Sequence, residues 1–311
     1  MQTSLPCIPC FVRQAADAVE SSVEDPSRRS EILQRILHAL ADCDWLTSPP
    51  ACAQRLHRII RNETGDPDPY RAVKECGNRL ALEGLPRWRK IIAEAPDSRE
   101  AIVRLAAWGN LMDAAAKTGF TPDDLSAWAA CLWTRPLAGH PHDLFRLAKK
   151  ASRILYLADN AGEIVFDRLL VEALPTQKIT VAVRGAPVLN DALIEDAEQA
   201  GLTNLVTLID NGSDAPGTLL DDCSEVFKEE FRNADLVISK GQGNFETLSD
   251  VPAPIVFLFT VKCPTVAASS GLCVGTLVAR RTDAWPKSKA RRSREGRPAR
   301  CPTKPANPAS P

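Results

Sequence analysis

The chain has 311 residues, 44% of them hydrophobic, and its 38 Lys and Arg nearly balance 39 Asp and Glu for a net charge of −1. That length supports a sizeable core and fits two domains better than one. It contains no run of eighteen apolar residues and no basic segment leading into an apolar stretch at its start, so a soluble, cytoplasmic protein that keeps clear of membranes is expected. Its ten cysteines are thinly spread, several inside apolar patterns, which argues against a disulfide framework and for a reducing compartment.

Residues 1–145 carry helical spacing almost throughout, as in Ile32, Leu33, Ile36, Leu37 and Leu40, and again in Ala101, Ile102, Leu105, Ala106 and Met112. Breaks fall near Pro49-Pro50, Pro67 to Pro69, Pro96-Asp97 and Pro141. This half reads as an N-terminal all-helical domain. From Arg153 the texture changes: Ile154–Ala158, Ile179–Arg184, Leu205–Ile209, Asp235–Lys240 and Ile255–Val261 read as strands. Helical stretches follow most of them, from near Gly162, Ala192, Leu219, Phe245 and Thr265. The alternation predicts an α/β domain over 146–284, with α/β/α layers around a mostly parallel sheet. Residues 285–311 carry eight Lys or Arg against Glu295 alone, together with six prolines, which leaves about −8 on the rest of the chain. With so little apolar surface they read as a disordered, basic, Pro-rich tail, and no aromatic interleaving marks them for a specific nucleic acid.

The polar residues of the second half fall at the ends of its expected strands. They are Asp159-Asn160, Arg184 with the loop to Asn190-Asp191, Asp210-Asn211 with Gly212-Ser213-Asp214, Lys240-Gly241-Gln242-Gly243-Asn244, and Lys262-Cys263. In a parallel sheet these ends share one edge, where ligands bind beside helix N-termini. Asp159, Asn160 and Asp191 together offer hard oxygen donors to a divalent cation with room for a phosphate. Any one of them taken alone is more often a helix cap; successive placement at strand ends is what favours the metal. Lys240, followed by Gly241, is expected to meet the phosphate, with Asn244, Ser213 and Asp214 as further substrate contacts; an ordinary turn is the plainer account of both glycine-rich segments. Glu163 lies near enough to the helix start to reach the site, whereas Asp167, one turn on, reads as a supporting or solvated carboxylate. Asn110 and Asp113 share a helix face in the first half and are placed toward the crevice, with a helix-packing role as the alternative. Cys7-Ile8-Pro9-Cys10 has the spacing of half a metal site or of a thiol pair, and the two readings stay open. The four histidines form no triad pattern, and GxSxG is absent.

With these residues in view, the chain resembles the damage-control phosphatase family, the acidic-residue-methyltransferase-like metal-binding domain. The resemblance rests on CIPCFVRQ at 7–14, AIVRLAAWGNLMD at 101–113, YLADNAGEIVFDRLLVEAL at 156–174, VRGAPVLNDALIEDA at 183–197, ADLVISKGQGNFETL at 234–248 and KCPTVA at 262–267. The CxxC start is similar to that of the stand-alone prokaryotic-type branch. The resemblance implies a helical region joined to an α/β/α domain, a divalent metal (Mn, Co, Ni or Mg) held by Asp159, Asn160 and Asp191, and Lys240 on the substrate phosphate. It further implies hydrolysis of phosphate monoesters of small, sugar-phosphate-like metabolites. Leu193 stands where the family often has Thr, and the segment after Arg281 matches no family pattern. Two other functions remain to be weighed: an S-adenosylmethionine-dependent carboxyl methyltransferase, against which Asp159-Asn160-Ala161-Gly162 supplies a single glycine, and a non-catalytic metal- or metabolite-binding protein. No partner protein is indicated.

Overall fold

The structure, a computed structural model, describes residues 1–108, 131–282 and 285. Asn110, Asp113 and, apart from Trp285, the tail of 285–311 lie outside the described residues. Five helices come first: α1 (Cys7–Ser22), α2 (Pro26–Ala41), α3 (Pro49–Thr64), α4 (Arg71–Glu94) and α5 (Ser98–Trp108). Local chemistry sets their limits. Asp25 caps α2 by accepting from the Ser27 and Arg28 amides, with Pro26 at its first turn, and Gly65 ends α3 in the left-handed conformation.

The remaining elements are β1 (Leu137–Gly139), α6 (Pro141–Lys150), β2 (Ile154–Leu157), α7 (Glu163–Glu172), β3 (Ile179–Val183), α8 (Ile194–Gln199), β4 (Thr207–Asp210), α9 (Glu225–Asn233), β5 (Leu236–Lys240), α10 (Gln242–Leu248), β6 (Ile255–Thr260), α11 (Pro264–Ser270) and β7 (Leu277–Arg281). The strands form one sheet in the order β1-β7-β6-β5-β2-β3-β4. Strands β2 to β6 are mutually parallel; β7 runs antiparallel to β6, and β1 pairs parallel with β7. The five expected strands are therefore present, and two more close one side. Leu137–Gly139 falls inside the stretch read as helical, and three residues are too few to show a strand's alternation.

Burial follows sheet position. Every residue of β2, β5 and β6 is buried, as strands covered on both faces require, whereas edge strand β4 is only partly covered. Alternate side chains of β2 enter opposite layers: Ile154 and Tyr156 join a core with α4 to α8, Leu155 and Leu157 one with α9, α10 and α11. Helices α1 to α3 bury Phe11, Ile32, Ile36, Leu56 and Ile60 in a third cluster of their own, so the N-terminal helices divide between two cores. Among the described residues no helix is long and apolar enough to cross a membrane.

Candidate active site at the strand switch point

Connections run from β2 outward to β3 and β4, and on the other side from β5 to β6, so the order reverses between β2 and β5. Loops leaving the two strands diverge there and open the crevice in which α/β sheets bind ligands. Asp159-Asn160 leaves β2 at that point and Gly241 follows β5.

Backbone pairing, more than chain order, assembles the site. The loop after β3 folds back so that Asp191 forms an antiparallel bridge with Asn160; the Ala192 amide donates to the Asp159 carbonyl (2.8 Å) and the Ala161 amide to the Asn190 carbonyl (2.9 Å). The fold-back requires Leu189 at φ 47°, a left-handed backbone unusual for a branched residue. Gly241 closes the other side with φ 79°, and a Cβ there would stand 2.0 Å from the Asp159 carboxylate carbon. Only glycine lets that carboxylate rest on the β5 turn.

Asp159, Asn160, Glu163 and Asp191 are all buried. The Asn160 amide nitrogen donates to Asp159 Oδ2 (2.8 Å) and Glu163 Oε2 (3.2 Å), which fixes the amide's orientation. Arg184, also buried, donates from Nε to Asp191 Oδ2 (2.6 Å) and holds its NH2 nitrogen 3.8 Å from Asp159 Oδ1. Burial, with Glu163 and Asp191 close by, pushes the Asp159 carboxyl well above the ordinary range, against the pull of Lys262 and Arg184. Glu246 is pushed up to about 7 by burial, with Asp159 adding to the rise. Carboxylates crowded beside an oriented amide form a donor set whose repulsion a divalent cation would relieve, so the residues present fit the implied metal. Among the described residues no three His, Cys, Asp or Glu side chains form a ready metal cage; the set is two carboxylates and an amide.

Several expected contacts look different in three dimensions. Lys240 is fully buried, and its ammonium donates to Glu163 Oε1 and to Asp167 Oδ1 (2.6 Å), with its pKa raised by those two carboxylates against the opposing effect of burial. It thus supports Asn160 through Glu163 from beneath the site. Asp167, read as a supporting carboxylate, is the second anchor of that network. Asn244 was expected on the substrate, but its amide is saturated. The oxygen accepts from Thr218 Oγ1 (2.8 Å) and Arg184 NH1 (3.2 Å), and the nitrogen donates to the Lys240 (2.7 Å) and Ala158 (3.2 Å) carbonyls. At the start of α7, Ala161 and Gly162 are occupied as well, the Gly162 amide donating to Asn78 Oδ1 of α4 (2.6 Å).

Asp214 is gripped from α3 by Gln54 (2.7 Å), Arg58 (2.9 Å from Nε to Oδ2) and Arg61, which tie its loop to the N-terminal helices. Ser213 Oγ donates to Asp222 Oδ2 (2.6 Å). Sequence reading left Arg184, Glu246 and Lys262 without roles. Arg184 and Lys262 end strands, the signal that singled out the others; Glu246 lies mid-helix and carries no such mark.

Carboxylates and an amide converging at the switch point of an open α/β sheet, with cations alongside, place this chain among α/β proteins with a polar crevice at the strand ends. The chain belongs to the damage-control phosphatase ARMT1-like domain family, whose profile matches residues 3–278. It is 33% identical over 285 residues to an uncharacterised protein of Methanocaldococcus jannaschii, covering 86% of this chain and 92% of that one. It is 32% identical over 290 residues to a damage-control phosphatase of Pyrococcus horikoshii, covering 90% and 98%. The crystal structure of a DUF89 family protein from Pyrococcus horikoshii superposes with a TM-score of 0.84 at 31% identity, over 91% of this chain and all of that one.

Proposed function

We propose that this chain is a metal-dependent phosphatase that hydrolyses phosphate monoesters of small, sugar-phosphate-like metabolites. The observation that carries the proposal is the bridge joining Asn160 to Asp191, which brings donors from two loops to one point beside Asp159 at the switch point. The names of the Pyrococcus horikoshii relative and of the family support the reaction class.

Asp159, Asn160 and Asp191 would hold the divalent cation, Mn, Co, Ni or Mg; when bound, it supplies polarisation of the phosphoryl group. The chain's own groups do the rest. Arg184 orients the Asp191 carboxylate through Nε, and the Glu163–Lys240–Asp167 network keeps the Asn160 amide from rotating. Lys262, close enough to act on Asp159 and Glu246, supplies positive charge where phosphoryl oxygens would lie. Hydrolysis breaks the ester P–O bond, adds water to phosphorus and returns a proton to the departing alcohol. Glu246, buried, hydrogen-bonded by Gln242 and outside the metal-donor set, is the carboxyl assigned to hold that proton, burial having pushed it up to about 7.

Rates of wild type, Asp159→Ala and Asp191→Ala on a phosphate-ester panel with each metal in turn test the reading. Loss of one charge-stabilising donor should lower the rate by roughly a hundredfold or more. An Asp159→Ala protein as active as wild type would end the proposal. Titration calorimetry with S-adenosylmethionine separates it from a methyltransferase, which would bind that cofactor without metal.

A further inference from the structure

The chemistry above makes no use of helix α4, yet one of its side chains ties together the starts of both helices that follow the donor loops. Asn78 is buried, and its amide makes three bonds: the oxygen accepts from the Gly162 amide (2.6 Å), and the nitrogen donates to Asp196 Oδ1 (2.7 Å) and Gln199 Oε1 (2.9 Å). Turning the amide over would set its NH2 against the Gly162 N–H and its oxygen against two acceptors, so the orientation is fixed. Gly162 lies two residues after Asn160 and opens α7, which has no side-chain cap of its own. Asp196 lies in the first turn of α8, and its Oδ2 accepts from the amide of Leu193, two residues after Asp191 (2.8 Å). Leu193 occupies the N-cap of α8 without a side-chain acceptor to offer, so that helix start relies on Asp196, and Asp196 on Asn78. Gly77 lets α4 come this near: a Cβ there would already be in van der Waals contact with Gly162 (3.8 Å).

We propose that Asn78 is a positioning residue for the metal site: one amide from the N-terminal helices fixes the spacing between the loop that follows β2 and the loop that follows β3, and so holds Asp159-Asn160 and Asp191 in register. The bridge between Asn160 and Asp191 joins the loops once; Asn78 joins them again, one helix start further along each. Two ties at different points resist the rotation that a single bridge permits. Loss of the amide leaves the Gly162 N–H buried without an acceptor and takes a donor from a buried carboxylate, so both helix starts loosen together. An ion held by donors from both loops then binds more weakly, and by linkage the bound ion tightens the contact of α4 with the loops. This effect on metal binding rests on the metal site proposed above; the coupling of the two loops through Asn78 does not.

The test compares the full chain with Asn78→Ala, Asn78→Asp, Asp196→Asn and the double variant Asn78→Asp/Asp196→Asn. In the double variant the carboxylate stands on α4, where it still accepts from Gly162, and the amide on α8 donates back to it while accepting from Leu193; net charge is unchanged. Calorimetric titration with each of Mn, Co, Ni and Mg is expected to show binding weakened about tenfold or more in Asn78→Ala and in both single exchange variants. The double variant should recover to within about threefold of wild type, the non-additivity expected of groups in contact. Leu85→Ala, which opens a cavity further along α4, is the control: it lowers stability and leaves metal affinity unchanged. In the metal-free chain, amide hydrogen exchange of Asn78→Ala is expected to quicken at both helix starts, around Gly162 and Leu193, while β5 and β6 keep wild-type rates. The proposal is overturned by a folded Asn78→Ala that binds metal as wild type does, by a double variant no better than its singles, by an equal loss in Leu85→Ala, or by unchanged exchange at either helix start. Should Asn78→Ala fail to fold, the double variant and its singles decide. If wild type binds none of the four metals, the phosphatase reading falls and the exchange comparison alone decides the coupling.

Discussion

Gly241→Ala asks whether the Asp159 carboxylate rests on the β5 turn. At φ 79° the backbone is left-handed, and the new methyl group would stand 2.0 Å from both Asp159 Cγ and Oδ2. The left-handed conformation alone costs a residue with a side chain about 1–2 kcal/mol. Overpacking a filled site adds about 1–3 kcal/mol, for an expected loss of about 2–5 kcal/mol. Gly65→Ala is the matched control: its φ is 71°, and nothing lies within 4 Å of the position a Cβ would take, so only the conformational cost applies. Urea unfolding of the two variants isolates the steric part. Metal titration reports whether the carboxylate has been displaced, and Gly241→Ala should bind at least tenfold more weakly, the lower end of the loss expected when a ligand's support is disturbed. If Gly241→Ala is no less stable than Gly65→Ala and binds metal as wild type does, Asp159 does not sit where this site requires it.

Three further outcomes follow from the same structure. His57 is buried and its pKa is lowered to about 4, first by burial and then by Arg61, so the folded chain keeps it neutral while the unfolded chain protonates it near 6.5. Its contribution to stability is therefore complete above about pH 6.5, falls by about 3 kcal/mol in total as pH drops toward about 4, and changes no further below that; denaturant titrations of wild type and His57→Gln should differ in that slope, and parallel curves refute it. Lys240→Met leaves Glu163 and Asp167 facing each other in the core and should cost about 3–5 kcal/mol, largely recovered when Glu163→Gln and Asp167→Asn are added; a single variant as stable as wild type denies the network its role. Asn244→Leu strips acceptors from Thr218 and Arg184 and donors from two carbonyls, so a loss of at least about 2 kcal/mol is expected by thermal unfolding.

Much of this molecule was legible without coordinates because strand and helix leave periodic marks on the chain. The fully apolar run Ile154-Leu155-Tyr156-Leu157 could belong only to an element covered on both faces, and β2 is central in the sheet. Asp159, Asn160 and Asp191 stood out because polar residues that end parallel strands share one edge. Chain order does not record which partners a long side chain chooses. Lys240 and Asn244 looked outward-facing by position, yet the sheet folds carboxylates and carbonyls around them, and buried charge and amide groups must be paired before they can serve a ligand. Strand β1 was hidden for a different reason: it is three residues long, and its neighbour β7 comes from far along the chain. The docking of the first residues on α11 was hidden likewise, since Ser4 and Cys7 meet Thr265 only when the chain is folded. Periodicity is a property of adjacent residues, so the sequence determined the elements and the edge on which the chemistry gathers. Pairing depends on residues brought together from afar, so the tertiary structure alone decided which buried side chains converge at that edge and which partners hold them there.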